Sequence, residues 1–180
     1  MTEQRPEPRI VPASTTPAGS RTTPAASGLS HVRADGSAHM VDVTGKTETT
    51  RVARAQAVLE TRRDVVEQIV DGRLPKGEAL STARIAGIMA AKQTSTLIPL
   101  CHPLPIGSVT VDFEVDDTRV VVRTTVSTRG VTGVEMEALT AASVAALTLY
   151  DMIKAVDNRA TIGEIAVLEK TGGKSGDWSR

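Results

Sequence analysis

An aspartate and a lysine stand three positions apart inside a strongly apolar run of the 180-residue chain. Asp151 and Lys154 close the segment TGVEMEALTAASVAALTLYDMIK, whose length and composition predict a long helix. Residues with this spacing are neighbours on one helix face, and they usually form a solvated ion pair. Because their flanks are apolar, we expect a partly desolvated pair, whose proton affinity responds to its neighbours. Acid/base chemistry is the competing interpretation.

Two further segments carry polar groups in restrained loops. Lys76 lies in DGRLPKGE. It is either an ordinary exposed lysine or a ligand-binding group, since Gly77 beside it allows a ligand to approach the backbone closely. Cys101 and His102 lie in the proline-rich loop LIPLCHPLPIG. The chain offers too few further ligands for zinc, and adjacent residues seldom form a nucleophile–base pair. The loop therefore presents His102 to a ligand or simply packs it.

Charged groups also mark both ends of the C-terminal third. Glu135 and Glu137 fall in the first turn of the long helix, where they complement the helix dipole or accept hydrogen bonds from a purine-like ring. The later stretch KTGGKSGD is not a Walker loop, because Leu168 occupies the position of the required glycine. Lys170 and Lys174 among its glycines predict either a mobile anion clamp or a flexible tail.

The elements that must position these residues follow from hydrophobic periodicity and from turn signals. Thr61 is predicted to cap the first helix and Gly72 to end it. The predicted order is β-α-α-β-β-α-β, which favours an α+β fold of ferredoxin-like type, with an antiparallel sheet and helices packed on one face. The predicted segments of this order are strand 51–59, helices 61–72 and 79–94, hairpin 109–126, helix 133–156 and strand 161–168, and residues 39–43 are a further short strand candidate ahead of them.

Composition limits the class of protein. Residues 1–28 hold five of the nine prolines and predict a disordered tail before a single domain at 29–180. Lys plus Arg equals Asp plus Glu at 21 each, and aromatics are 2%, which argues against a nucleic-acid partner. No unbroken apolar stretch reaches the roughly 18 residues of a membrane span. The single cysteine fits a reducing compartment, so we expect a cytoplasmic protein.

The small residues of the long helix occupy nearly every side of it. A helix that is apolar all round is usually buried on more than one side, and one sheet covers only one side. This pattern predicts a homo-oligomer in which a second copy covers the other side. The small residues concerned are Ala138, Ala141, Ala142, Ala145 and Ala146.

Taken together, six segments resemble the cyclic pyranopterin monophosphate synthase family, the molybdenum-cofactor biosynthesis protein C family. The resemblance covers residues 29–178 and implies a ferredoxin-like subunit in a homohexamer, a trimer of dimers with sites between subunits. It implies conversion of 3′,8-cyclo-7,8-dihydroguanosine 5′-triphosphate to cyclic pyranopterin monophosphate with release of pyrophosphate. No cofactor is required, although Mg²⁺ can assist with the triphosphate. The segments are AHMVDV, DGRLPKGE, TARIAGIMAAK, LIPLCHPL, TGVEMEALTAASVAALTLYDMIKAV and KTGGKSGDW.

The resemblance also assigns roles to individual residues. It makes Asp151 the catalytic acid/base group, with Lys76 and Lys154 as further catalytic residues. A ligand-binding regulatory module and a purely structural oligomer remain the alternatives. The substrate-binding residues that the resemblance implies are Leu100, Cys101, His102, Glu135, Met136, Arg51, Lys170, His39 and Lys174.

Overall fold

The computed structural model describes residues 37–43, 45–173 and 176–180. His39–Arg180 forms one compact unit. The predicted tail and Lys174 lie outside the described residues. The elements are β1 (Thr49–Glu60), α1 (Arg63–Val70), α2 (Ala79–Lys92), α3 (Thr94–Leu97), β2 (Ile106–Asp116), β3 (Arg119–Gly130), α4 (Glu135–Ile153), β4 (Thr161–Thr171) and β5 (Trp178–Ser179).

The five strands form one sheet in the order β2-β3-β1-β4-β5, and every neighbouring pair is antiparallel. One face is apolar because side chains alternate along each strand, so that Ala55 and Ala57 of β1 and Val122 of β3 are all buried. The helix α4 packs on β1, β3 and β4, and α2 packs on α4 and β2. The predicted α+β fold with an antiparallel sheet is therefore confirmed.

The other face of the sheet carries ion pairs between strands. Arg54 pairs with Glu169, Arg123 with Glu114, and Arg119 with Glu164. These contacts join β1 to β4, β3 to β2, and β3 to β4. The helices and the apolar core thus lie on one side of the sheet, and paired charges lie on the other.

The core helix α4 is covered by its own chain on two sides. All five alanines named above are fully buried. Gly87 allows α2 to cross α4 closely, since a Cβ at this position would lie 3.0 Å from the Ala141 carbonyl oxygen and 3.2 Å from the Cβ of Ala145. The expectation that only the sheet covers α4 is therefore wrong. Among the described residues, α4 is long and apolar enough to cross a membrane, but 56% of its apolar window is buried inside the domain, as in a core helix.

Two local predictions were wrong because tertiary contacts prevailed. Residues 39–43 form no strand, and the carbonyl of Val41 instead contacts Nε2 of His102 at 2.9 Å. Thr61 does not cap α1, whose N-cap is Arg62 without a side-chain hydrogen bond. The Thr61 hydroxyl donates to Oδ2 of Asp157 at 2.7 Å, so the cap is lost to a partner beyond α4.

Helix ends were predicted to within a few residues. Gly72 follows α1 with φ of 64°, the left-handed conformation that ends a helix as predicted. The helix α2 ends at Lys92, two residues earlier than predicted, and the short helix α3 follows it. The long helix α4 is shorter than its predicted range at both ends.

Candidate functional site

Three charged side chains meet at the C-terminal end of α4. Nζ of Lys76 lies 2.6 Å from Oδ2 of Asp151 and also donates to its backbone carbonyl at 2.8 Å. Nζ of Lys154 lies 2.7 Å from Oδ1 of the same carboxylate. Each carboxylate oxygen therefore has its own ammonium partner. We call this group the lysine–aspartate cluster.

A glycine turn brings Lys76 to α4 from a distant part of the chain. The amide of Gly77 donates to the carbonyl of Leu74 at 2.9 Å. Gly77 has φ of 85°, so glycine is needed here for the turn itself. A Cβ at Gly77 would meet nothing within 4 Å, so its conformation explains this glycine better than a close contact does.

The cluster fixes the proton affinity of its members. The hydrogen bond from Lys154, followed by the one from Lys76, lowers the pKa of Asp151 to about 2. Asp151 in turn raises the pKa of Lys154. The side chains of Asp151 and Lys154 are 53% and 52% exposed, so the expectation of a partly desolvated pair is wrong within one chain. The cluster is a solvated carboxylate held between two ammonium groups.

A second group of charges surrounds a cavity of about 820 Å³ at the N-terminal end of α4. The guanidinium of Arg51 is buried in β1, and its Nε donates to the carbonyl of Gly130 at 3.3 Å. Nζ of Lys170, on β4, lies 3.7 Å from Oε1 of Glu135. Lys46 also lines the cavity. Three cations and one carboxylate make this cavity suited to an anionic ligand. We call it the cationic cavity.

Lys46 was missed by sequence reasoning. Its backbone amide donates to the carbonyl of Val43 at 3.0 Å, and this turn brings the residue to the cavity just before β1 begins. In the sequence it is one lysine in the polar stretch GKTET, which reads as a surface loop. The sequence feature that could have indicated Lys46 is its position just ahead of the strand that carries Arg51.

The Cys101–His102 loop lies near the same end of α4. The contact between His102 and Val41 matches a packed loop histidine. Burial, followed by the negative charge of Glu137, raises the pKa of the Cys101 thiol. Burial also raises the pKa of Glu137, and the charge of Glu135 adds to this effect. This region therefore favours neutral forms, in contrast to the lysine–aspartate cluster.

The remaining predicted contact residues lie in the same part of the domain. Leu100 and Met136 are exposed, and Met136 follows Glu135 in the first turn of α4. His39 is half-buried in the segment that leads to Val41. Within the described ranges, no group of three or more His, Cys, Asp or Glu side chains is arranged to hold a metal ion.

The structure brings the predicted residues together in two groups, not in one. Glu135 at the cationic cavity and Asp151 in the lysine–aspartate cluster are sixteen positions apart on α4. At about 1.5 Å per residue, this separation is roughly 24 Å along the helix axis. One chain therefore places three cationic side chains around a cavity at one end of its core helix and the lysine–aspartate cluster at the other.

The structure thus defines an antiparallel α+β domain whose cationic cavity is suited to a small anionic molecule. The model of the MoaC family matches residues 40–173, and the chain belongs to this family. The match spans most of the described domain, including both charged groups.

Curated relatives extend this result to nearly their full length. A cyclic pyranopterin monophosphate synthase of Corynebacterium glutamicum is 66% identical over 151 residues, covering 84% of this chain and 97% of the relative. Cyclic pyranopterin monophosphate synthase 2 of Mycobacterium tuberculosis strain H37Rv is 59% identical, covering 84% and 91%. The synthase of Streptomyces avermitilis is 57% identical, covering 87% and 92%.

Proposed function

We propose that the chain is a lyase that converts 3′,8-cyclo-7,8-dihydroguanosine 5′-triphosphate into cyclic pyranopterin monophosphate and pyrophosphate, an early step of molybdenum cofactor biosynthesis. Its family membership and its similarity to synthases over nearly their full length support this reaction. The observation that carries the proposal is the chemical match between the substrate and the two charged groups at the ends of α4. A triphosphate requires cations, and ring opening and closure require groups that exchange protons.

We also propose that the domain is a ferredoxin-like sandwich. The order β2-β3-β1-β4 of four antiparallel strands, with a helical crossover between β1 and β2 and another between β3 and β4, supports a ferredoxin-like sandwich. The short strand β5 extends this arrangement beyond β4.

The phosphorus step needs charge stabilisation more than covalent help. A sugar hydroxyl oxygen attacks the α-phosphorus, a new P–O bond forms, and the bond to the bridging oxygen breaks. Pyrophosphate leaves with that oxygen, and the hydroxyl proton passes to a base. Lys46, Arg51 and Lys170 around the cationic cavity are suited to stabilise the leaving charge.

The lysine–aspartate cluster is suited to the proton transfers. Asp151 is ionised at neutral pH because its pKa is about 2, so it can accept protons. The ammonium groups of Lys76 and Lys154 are the neighbouring donors. If a phosphate draws one lysine away, the hydrogen bond that lowers the pKa of Asp151 is lost, and the carboxyl becomes a better base. Substrate binding would then tune the acid/base group.

We propose that each active site takes its two halves from two copies of the chain. The separation of roughly 24 Å between Glu135 and Asp151 exceeds the reach of one nucleotide. Under two-fold symmetry, α4 of one copy would run antiparallel to α4 of the other. The cationic cavity of one copy would then face the lysine–aspartate cluster of its mate.

The outward faces of α2 and α4 support this association. Ile85 and Met89 of α2 are each 60% exposed, and Leu147 of α4 is 58% exposed. Such large apolar side chains on neighbouring helices are typical of a surface that another protein covers. Met136 and Asp151 lie on the same outward stripe of α4, one at each end. The association of three such dimers into a homohexamer rests on the family resemblance.

We propose that the reaction needs no bound cofactor. Where Mg²⁺ assists, it enters bound to the phosphates of the substrate. We also propose that the protein acts in the cytoplasm, without a nucleic-acid or membrane partner. A chelator should then slow the reaction only as far as it strips Mg²⁺ from the triphosphate. Dialysis of the protein against chelator before the assay should leave activity unchanged once Mg²⁺ is restored.

The reaction is tested directly with the purified chain. It is incubated with the cyclised GTP derivative, and mass spectrometry follows substrate, cyclic pyranopterin monophosphate and pyrophosphate. We expect both products from the unmodified chain and far less of either from Lys76→Ala or Asp151→Asn in the same time. Intact substrate and no product from the unmodified chain would remove the enzyme proposal and favour a ligand-binding module.

Complementation tests the shared site. Arg51→Ala damages the cavity half, and Asp151→Asn damages the cluster half. After the two variants exchange subunits, half of the random pairs are mixed, and each mixed pair holds one intact site out of two. The assay uses a substrate concentration well below KM, where each variant alone should have little activity, and we expect recovery of up to about a quarter of the unmodified activity. If native mass spectrometry detects mixed pairs but no activity returns, each site lies within one copy.

A further inference from the structure

The turn that follows β4 lies directly against the guanidinium of Arg51. Gly172 and Gly173 have φ of 85° and 90°, the left-handed region that side chains rarely adopt. A Cβ at Gly173 would lie 2.8 Å from Cζ of Arg51 and closer still to its Nη1. A Cβ at Gly172 would collide with the backbone carbonyl of Thr50. At Gly172 the obstructing atoms belong to the backbone, and at Gly173 they belong to the end of the Arg51 side chain.

Both sides of this contact are held in place. Arg51 is buried, and its Nε donates to the carbonyl of Gly130, so its guanidinium cannot retreat without losing that bond. The amide of Gly172 donates to Oδ1 of Asp177 at 2.7 Å, and the amide of Gly176 donates to the carbonyl of Gly173 at 3.2 Å. These bonds link Gly172 to Asp177 and Gly173 to Gly176.

We propose that Gly173 is a positioning residue that sets the guanidinium of Arg51 in the cationic cavity. The backbone of Gly173 packs against one side of the guanidinium, and the carbonyl of Gly130 accepts a hydrogen bond from Nε. Gly173 itself lines the cavity beside Arg51 and Lys170. A side chain at Gly173 would push the cation away from the position in which it meets an anionic ligand. The inference rests on the proposed function in assigning the cavity to phosphates.

A matched pair of substitutions separates this role from backbone strain. Gly173→Ala adds a Cβ that collides with Arg51. Gly176→Ala adds a Cβ in the same turn, at φ of 71°, where nothing lies within 4 Å. Both variants carry the cost of a left-handed alanine, and only Gly173→Ala disturbs the cation. Thermal unfolding of each variant checks that it is folded. Gly173→Asn tolerates positive φ better and replaces the alanine variant if that one is unfolded.

Binding of inorganic tripolyphosphate to the full chain, measured by calorimetry, is the readout. We expect affinity to fall roughly tenfold or more in Gly173→Ala and less than about twofold in Gly176→Ala. In an Arg51→Ala background, Gly173→Ala should add less than about twofold, since it acts through the missing guanidinium. Kinetically, KM should rise in Gly173→Ala while kcat changes little.

Three results would overturn the inference: equal affinities in the two glycine variants, an undiminished further loss in the Arg51→Ala background, or no tripolyphosphate binding by the unmodified chain. The outcomes distinguish this inference from the proposed function. Arg51-dependent tripolyphosphate binding without turnover of the cyclised GTP derivative would refute the function and leave the positioning role intact. Turnover with equal binding by the two glycine variants would do the reverse.

Discussion

The two ends of α4 hold acidic side chains whose proton affinities are shifted in opposite directions. At the C-terminal end, hydrogen bonds from Lys154 and Lys76 lower the pKa of Asp151 to about 2. At the N-terminal end, burial and the charge of Glu135 raise the pKa of Glu137. Glu137 is only 4% exposed, whereas Asp151 is more than half exposed. Burial and neighbouring charge thus give one helix two different carboxyl groups.

This difference suggests a division of labour. A solvated carboxylate between two ammonium groups suits proton exchange, because a displaced lysine changes its pKa at once. The other end is suited to binding an anion, because its cations line a cavity. Burial raises the pKa of its Glu137 carboxyl and of its partly buried Cys101 thiol. Substitutions at the two ends should therefore act on different kinetic constants.

The largest expected effect follows from breaking the lysine–aspartate cluster. Lys76→Ala should lower kcat roughly 1,000-fold, in the range of a lost proton-transfer group. Arg73→Ala is the control, since Arg73 lies in the same loop and pairs with Asp71 instead. Steady-state kinetics with the cyclised GTP derivative measures both. A kcat of Lys76→Ala close to that of Arg73→Ala would remove Lys76 from the chemistry.

The cavity end should give the opposite kinetic pattern. Lys46→Ala should raise KM roughly tenfold with little change in kcat, because it removes a phosphate contact that substrate and transition state share. Added salt should weaken substrate binding less in this variant than in the unmodified chain. A fall in kcat with an unchanged KM would contradict the division of labour.

A third prediction concerns the pKa of Asp151. Lys154→Ala should raise this pKa toward its ordinary value of 3.8, because it removes the largest cause of the shift. Since the folded pKa is lowered, the stability that Asp151 contributes is present above pH 3.8 and is lost as pH falls through about 2. Carboxyl-carbon NMR titration of unmodified chain and variant measures the change. An unchanged titration in Lys154→Ala would mean that Lys76 alone sets it.

The smallest effect is expected at Glu137 and is one of stability. Its folded pKa is raised, so the stability associated with its proton is full below pH 4.5 and is lost as pH rises through the folded pKa. Glu137→Gln keeps the shape and carries no charge. We expect a higher melting temperature than the unmodified chain at pH 7 and an equal one near pH 4. A difference that does not depend on pH would show that the carboxyl does not titrate in its buried position.

Local patterns predicted the elements of this fold well. The alternation of Val109, Val111 and Phe113 with polar residues predicted the β2–β3 hairpin, because one face of an antiparallel sheet is buried. The helix α4 followed from its long apolar run. The Thr61 cap failed for a physical reason: its hydroxyl has a competing acceptor in Asp157, ninety-six positions away, and no local pattern reveals such a partner.

The site divides in the same way. The pairing of Asp151 with Lys154 follows from helical spacing. The loop DGRLPKGE made Lys76 a candidate ligand-binding residue and the resemblance made it catalytic, but no local pattern predicted its contact with Asp151 across seventy-five positions. Lys46 and Gly173 were not predicted, because their roles depend on which strand ends meet around one cavity. The exposure of the lysine–aspartate pair was also missed, because Met152 and Ile153 between the two residues are buried while Asp151 and Lys154 are about half exposed.

The ion pairs on the outer face of the sheet bear on how substrate finds the protein. The whole chain is electrically neutral, yet its charges are unevenly arranged. On the face of the sheet opposite the helices, each of these arginines pairs with a glutamate, so that the electric fields of the two charges largely cancel at short distance. At the cavity mouth, cations outnumber acids, and a polyanion diffusing nearby is drawn toward that side. The association rate constant of the substrate should therefore fall steeply with ionic strength. The face of the sheet that carries the ion pairs should bind nucleotides only weakly.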